Sequence, residues 1–233
     1  MKAGVKTGED TAMERPGKGP LMPSMLPPLF LVTDRSLFAD RDLTGPVEEA
    51  MRGGVRLIQL REKDLGARAL LEIARRLREI TERYGGRIII NERVDVALLS
   101  RADGVHLGQG SFAPGDVRPV LTEGMVIGVS AHGLEEALKA EEEGADYITL
   151  GPVFKTPSKE RYGSPLGVEA FKKVKERVRI PVYAIGGIKR GNINDVLGAG
   201  ADGAAVISAI LGAKDIRESA KELTECIEAC RKP

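Results

Sequence analysis

From Leu29 onward, eight short β-branched apolar runs alternate with amphipathic stretches of helical period, and that alternation admits few folds. The runs are Leu29–Thr33, Arg56–Leu60, Arg87–Ile90, Gly104–Leu107, Met125–Val129, Tyr147–Leu150, Pro181–Ala184 and Gly203–Ile207. Helical patterns lie between them near Pro46–Arg52, Ala67–Tyr84, Val94–Ser100, Pro114–Leu121, Leu134–Glu143, Val168–Arg177 and Asn192–Leu197, with Ile216–Ala229 after the last. A near-continuous apolar run is the pattern of a strand covered on both faces, and a helix after each strand gives a parallel sheet. Beginning on a strand and counting eight units favours a closed barrel over an open doubly wound sheet. The expected fold class is α/β, a single (β/α)8 barrel over residues 29–233, and the 233 residues suit it, since such barrels need roughly 200 to 250.

A second regularity supports closure. Gly53-Gly54-Val55, Ala102-Asp103-Gly104, Gly144-Ala145-Asp146 and Gly200-Ala201-Asp202-Gly203 precede the second, fourth, sixth and eighth runs. Glycine there suits the left-handed residue that ends a helix before the next strand. An echo on alternate strands matches a barrel whose interior layers are filled by alternate strands. These motifs fall at the bottom face, away from the strand ends that carry chemistry, and are taken as structural.

Composition narrows the partners. With 35 basic and 34 acidic residues the net charge is +1, and no basic stripe or tail stands out, which argues against nucleic acid and membrane surfaces. No apolar stretch reaches the ~18 residues of a membrane span, and residues 1–28 lack the core of a signal peptide. A cytoplasmic location is expected. Residues 1–28, with five prolines among glycines and charges, are expected to be a disordered tail, or to reflect translation from upstream of the start. Cys226 and Cys230, four residues apart on the last helix, supply neither disulfide geometry nor a ligand set and are expected to pack as small apolar side chains. Self-association is left open by the sequence.

Amides are scarce, two Gln and three Asn, while 30% of residues are charged and Trp is absent, a thermophile-like balance. Gln59, Asn91 and Gln109 nonetheless stand at or just past strand ends, as do both histidines, His106 and His132. Barrel active sites lie at those C-terminal ends. Gln59, Arg61 and Lys63 alternate, so an extended chain sends them to one side, where two cations and an amide suit an anion or a polar heterocycle. An ion pair of Arg61 or Lys63 with Glu62 is the bland alternative. Gly186-Gly187 after the seventh strand and Ser208 after the eighth suit a phosphate: glycine lets backbone N–H groups approach the anion, and a short helix adds its dipole. His132 past the fifth strand suits a general acid or base, or a satisfied structural histidine. His106, inside the fourth strand, is read as structural.

Taken in order, Leu31-Val32-Thr33-Asp34, Gln59-Leu60-Arg61-Glu62-Lys63, Asp103-Gly104-Val105-His106-Leu107-Gly108-Gln109 and Gly128-Val129-Ser130-Ala131-His132 resemble the thiamine phosphate synthase/TenI family. Gly151-Pro152-Val153-Phe154, Thr156-Pro157-Ser158-Lys159 and Ala184-Ile185-Gly186-Gly187-Ile188 extend the likeness along the chain. The resemblance implies an enzyme of thiamin biosynthesis that binds a thiazole phosphate. For the synthase, which joins hydroxymethylpyrimidine diphosphate to thiazole phosphate with release of pyrophosphate, it implies that Gln59, Arg61, Lys63, Asn91, Ser130, Thr156, Ser158 and Lys159 hold substrate. Gly186, Gly187, Ile207 and Ser208 would hold the thiazole phosphate, and Mg2+ would be the cofactor.

The chain departs from the synthase pattern at two places. Glu92 stands where that pattern has Asp after the third-strand Asn, and Ser111 where it has a second Asp. Glu92 can still be a metal ligand; Ser111 is a poor one. The departure points to the TenI branch, whose thiazole tautomerases move a proton without a metal, with Glu62 and His132 as the implied proton carriers. The tautomerase is therefore the leading expectation and the synthase the alternative. A non-catalytic sensor of thiamin intermediates is a third reading. A metal-dependent sugar-phosphate epimerase is disfavoured by a chain with two histidines.

Overall fold

A computed structural model describes residues 26–156 and 164–231. Eight parallel strands close in chain order: β1 Leu29–Val32, β2 Leu57–Leu60, β3 Arg87–Asn91, β4 Gly104–Leu107, β5 Val126–Ala131, β6 Tyr147–Leu150, β7 Val182–Ile185 and β8 Gly203–Val206. Closure is made by Leu29, Phe30 and Leu31 pairing with Ala204, Ala205 and Val206. Helices α1 Thr44–Arg52, α2 Ala67–Arg83, α3 Val94–Leu99, α4 Pro114–Val117, α5 Leu134–Glu142, α6 Val168–Lys175, α7 Ile193–Gly198, α8 Ser208–Leu211 and α9 Ile216–Arg231 complete the fold. None of the described helices is long and apolar enough to cross a membrane.

The barrel expected from the alternation is therefore the fold, and the differences lie at element ends. β3 runs on to Asn91 and β5 to Ala131, because Asn91 pairs with His106 and Ser130 with Thr149. Two polar residues expected past their strands are held inside the ladder. The fourth helix stops at Val117 and continues as a 310 turn, Arg118–Val120, since Pro119 has no N–H for an α-helical bond. A 310 turn at Arg35–Leu37, capped by Asp34, and the one-turn α8 carry too little periodicity to be seen in sequence. Cys226 is half-buried but Cys230 is exposed, its thiol 3.3 Å from Asn194 Oδ1, so only the first packs as expected.

Two separate cores follow from strand alternation, which sends successive side chains to opposite faces. The larger lies between sheet and helices and takes Leu31, Ile58, Ile88, Ile90 and Ile148 from the strands. The smaller fills the barrel with Phe30, Val32, Leu57, Ile89, Val126, Tyr147, Tyr183 and Ala205, closed below by Leu26. Phe30, Tyr147 and Tyr183 pack edge to face with ring centroids 5.7–5.9 Å apart, a favoured aromatic geometry. Room for them is made by glycine on neighbouring strands. A Cβ at Gly128 would strike the Tyr147 ring and hydroxyl, and one at Gly203 would strike the Tyr183 ring.

Three of the four bottom-face motifs, those that contain Asp, are ion clamps as well as turns. Asp103 Oδ2 accepts the Ile88 N–H at 2.9 Å, Asp146 Oδ2 the Ile127 N–H at 2.7 Å, and Asp202 Oδ2 the Val182 N–H at 2.7 Å. A cation joins each: Arg78 and Arg87 on Asp103, Arg118 on Asp146, Lys175 on Asp202. The left-handed residue is glycine at Gly54, Gly144 and Gly200, as expected, but before β4 it is Arg101, at φ 55°. Gly104 lies in the strand itself.

Two stability predictions follow from this packing. Gly128→Ala is expected to lower unfolding free energy by about 1–3 kcal/mol in urea melts, the usual penalty of overpacking. Asp103→Asn, facing an Arg78 side chain 10% exposed, is expected to lose about 3–5 kcal/mol. Asp146→Asn, facing an Arg118 side chain 41% exposed, should lose much less. Equal losses at the two aspartates would contradict burial as the cause.

Candidate active site

One inward position above the aromatic plug, the barrel becomes polar. The alternation that places Leu57, Ile89, Val126 and Tyr147 inside places Gln59, Asn91, Ser130 and Thr149 inside as well. His106 joins them, buried and edge-on to Phe30 with ring centroids 6.5 Å apart. Gln59 Nε2 donates to Asn91 Oδ1 at 2.9 Å, and Asn91 Nδ2 to Glu92 Oε2 at 3.3 Å. The His106 ring lies 3.0 Å from Ser130 Oγ, 3.4 Å from Thr149 Oγ1 and 3.2 Å from Tyr147 Oη. Burial first, and the Arg61 cation second, lower its pKa to about 3, so it is neutral. Thr149 was not singled out in sequence, although period-two alternation along β6 carries it inward with Tyr147.

Charge is confined to the rim. Arg61, half-buried, has no carboxylate within ion-pair distance among the described residues. The ion pair with Glu62 that the sequence left open is not formed. Lys63 is exposed, with Glu92 Oε2 3.9 Å away. Glu92 has a left-handed backbone, φ 59°, and its carboxylate lies over Gly108, where a Cβ would come within 2.7 Å of Oε1. Among the described residues no group of three His, Cys, Asp or Glu side chains could hold a metal ion.

A second recess opens between the ends of β6, β7 and β8. A cavity of about 400 Å3 is lined by Thr156, Gly186, Gly187, Ile207 and Ser208, with Lys155 and Lys189 also on its wall. Gly186 and Gly187 have φ of 97° and 68°, and a Cβ on Gly187 would meet Phe154 and the Lys155 carbonyl, so the turn requires glycine twice. Ser208 opens α8, whose first N–H groups have no partner within the helix itself and face outward at its start. Such backbone donors beside lysines suit a phosphate. The two lysines went unnoticed in the sequence, where nothing distinguishes them from surface charge.

The two expected proton carriers are differently placed. Glu62 turns out of the barrel, its side chain 4% exposed. It accepts from Thr33 Oγ1 at 2.5 Å and from the Arg35 N–H at 3.1 Å, tying β2 to the segment after β1. Burial raises its pKa above the ordinary 4.5. His132 lies past the end of β5, and both its N–H and its Nδ1 meet Glu136 Oε2, at 2.8 and 3.1 Å. The same carboxylate oxygen accepts from Gln109 Nε2 at 2.8 Å. Ser158 and Lys159 lie outside the described residues.

Comparison with known proteins agrees with this arrangement. The family model described as thiamine monophosphate synthase matches residues 29–210. A Geobacter sulfurreducens protein that carries the synthase name provisionally is 51% identical over 195 residues, 84% of this chain and 92% of that one. The thiamine-phosphate synthase of Clostridium tetani is 44% identical over 196 residues, 84% of this chain and 93% of its own. A solved thiamine phosphate pyrophosphorylase from Pyrococcus furiosus superposes with a TM-score of 0.82 at 40% identity, over 88% of this chain and 97% of that one. The chain belongs to the thiamine monophosphate synthase family.

Proposed function

We propose that this protein is a thiamine-phosphate synthase, a transferase that joins hydroxymethylpyrimidine diphosphate to thiazole phosphate and releases pyrophosphate. The observation that carries the reading is the pair of separate anion sites on one barrel mouth. One is the rim of Arg61 and Lys63 at the end of β2; the other is the glycine-walled recess between β6 and β8. The tautomerase substrate, a carboxythiazole phosphate, brings one carboxylate besides its phosphate, whereas the synthase brings a diphosphate, and two cations at the second site suit the diphosphate better than a lone carboxylate. The names of the relatives support the transferase as well. The tautomerase, expected from Ser111, thus gives way to its alternative. Glu62, its implied base, has one carboxylate oxygen engaged by Thr33 and the other by the Arg35 N–H.

In this reading the Gly186–Gly187 turn and Ser208 hold the thiazole phosphate. The neutral floor of Gln59, Asn91 and Ser130 receives the pyrimidine, and Arg61 and Lys63 draw the diphosphate to the rim. Breaking the bond to diphosphate builds negative charge on the departing oxygens, and preorganised cations stabilise that charge more than they stabilise the bound substrate. Mg2+ commonly binds through one or two carboxylates plus substrate phosphates. Glu92, a carboxylate on the rim beside Lys63, fits a single-carboxylate role of this kind. When bound there, the ion would neutralise diphosphate charge.

The direct test supplies purified protein with both heterocycles and Mg2+, with and without chelator. Thiamin phosphate is expected, lost with chelator and restored by excess Mg2+. Folded protein that thiazole phosphate stabilises against heat but that makes no product would return the tautomerase to the lead. Arg61→Ala is expected to lower kcat/KM about 100-fold, the scale of losing one charge-stabilising group.

Glu62→Gln should retain most turnover, since Glu62 belongs to neither anion site; its single amide oxygen can accept from Thr33 or from the Arg35 N–H but not from both, because the carboxylate serves them through different oxygens. Its signature lies in stability. A carboxyl with a raised folded pKa contributes stability fully below its unfolded value and loses it as pH rises through the folded value. The advantage of wild type over Glu62→Gln in urea midpoints should therefore shrink as pH rises above the ordinary 4.5. An advantage that grows with pH would contradict the placement of Glu62.

A further inference from the structure

Within the polar floor, hydrogen-bond acceptors are scarce enough to fix a direction. Tyr147 is wholly buried, and the only hydrogen-bond partner of its hydroxyl among the described residues is His106 Nδ1, at 3.2 Å. Had Nδ1 carried the imidazole proton, the tyrosine O–H would point its own hydrogen at nothing, which a buried donor strongly disfavours. The hydroxyl of Thr149, also buried, has only His106 Nε2 as a partner among the described residues, so either tautomer leaves one hydroxyl without an acceptor on the ring. The shorter contact, from the wholly buried Tyr147, decides it, making Nδ1 the acceptor and placing the ring proton on Nε2. Nε2 in turn faces Ser130 Oγ at 3.0 Å and, more weakly, Thr149 Oγ1 at 3.4 Å. Ser130 Oγ receives that proton as an acceptor. Its own O–H is left to donate, and Ser130 is the half-buried member of the chain, at the open end of β5. Gly128 keeps the register: a Cβ there would collide with both Tyr147 and His106. With its pKa near 3, the ring does not gain a second proton that would scramble this order at ordinary pH.

We infer that Tyr147 and His106 are positioning residues that form a one-way relay, Tyr147 to His106 to Ser130, committing Ser130 to donate a hydrogen bond to an acceptor atom on the ligand, such as a ring nitrogen or an ester or phosphate oxygen. This rests on the reading of the barrel mouth as the substrate site, but its first test needs no substrate.

In isotope-labelled protein the ring nitrogens of the two histidines can be told apart by comparison with His132→Gln. His106 is expected as the neutral form with its proton on Nε2; a proton on Nδ1 overturns the relay whatever reaction the protein catalyses. The second test is a double-mutant cycle. Tyr147→Phe removes one oxygen and little volume, and it is expected to lower kcat/KM for thiamin phosphate formation about tenfold, one hydrogen bond's worth. Because Tyr147 acts through Ser130, Tyr147→Phe combined with Ser130→Ala should be no slower than Ser130→Ala alone. Additive losses, or an unchanged Tyr147→Phe enzyme, overturn the proposal. If wild type makes no thiamin phosphate, the synthase reading fails while the ring tautomer still decides the relay.

Discussion

The three-ring plug of Phe30, Tyr147 and Tyr183 is the contact on which the site depends. A barrel of eight parallel strands leaves an interior that must be filled, and here three strands fill much of it with aromatic rings while others yield with glycine. Close packing of this sort leaves little room for adjustment. The plug sets a floor, and every inward side chain one step higher is thereby lifted to the mouth. Gln59 and Asn91 stand two positions above Leu57 and Ile89 of this core, whereas His106 and Ser130 stand two positions above Gly104 and Gly128, which leave room for neighbouring core side chains.

That dependence also explains how far the sequence could be read. The eight strands were legible because burial on both faces leaves continuous apolar runs, and the clustering of site groups at strand ends followed from the fold. Strand ends were less legible. Asn91 and Ser130 look like loop residues by polarity, but ladder pairing to His106 and Thr149 keeps them in the sheet. The alternation that gathers Gln59 and Arg61 inward turns Glu62 outward, so its direction was written in the sequence even where resemblance suggested proton transfer. Glu136, which unites Gln109 and His132, was not legible, because an acidic residue in the first turn of a helix is ordinary.

Charge and neutrality are segregated by height. The floor holds an imidazole kept neutral by burial together with amides and hydroxyls, whereas cations and the Glu92 carboxylate stand at the rim. A floor without net charge can hold a polar heterocycle through hydrogen bonds alone. The rim can then draw in anions through the field of groups still open to water.

The aspartate clamps on the bottom face have a kinetic side. Each joins a carboxylate to the N–H of the preceding strand only 15, 19 or 20 residues earlier in the chain. β4, β6 and β8 are thus each fastened to the preceding strand by a contact of short sequence separation, the kind that forms early because little loop entropy opposes it, whereas Gly53-Gly54-Val55 before β2 supplies no such carboxylate. Among the strand pairs, only the seam between β1 and β8 joins the two ends of the described barrel, and α9 packing on α1 reinforces it. A chain wired in this way can assemble as successive two-strand modules, with ring closure as the one late and entropically demanding event.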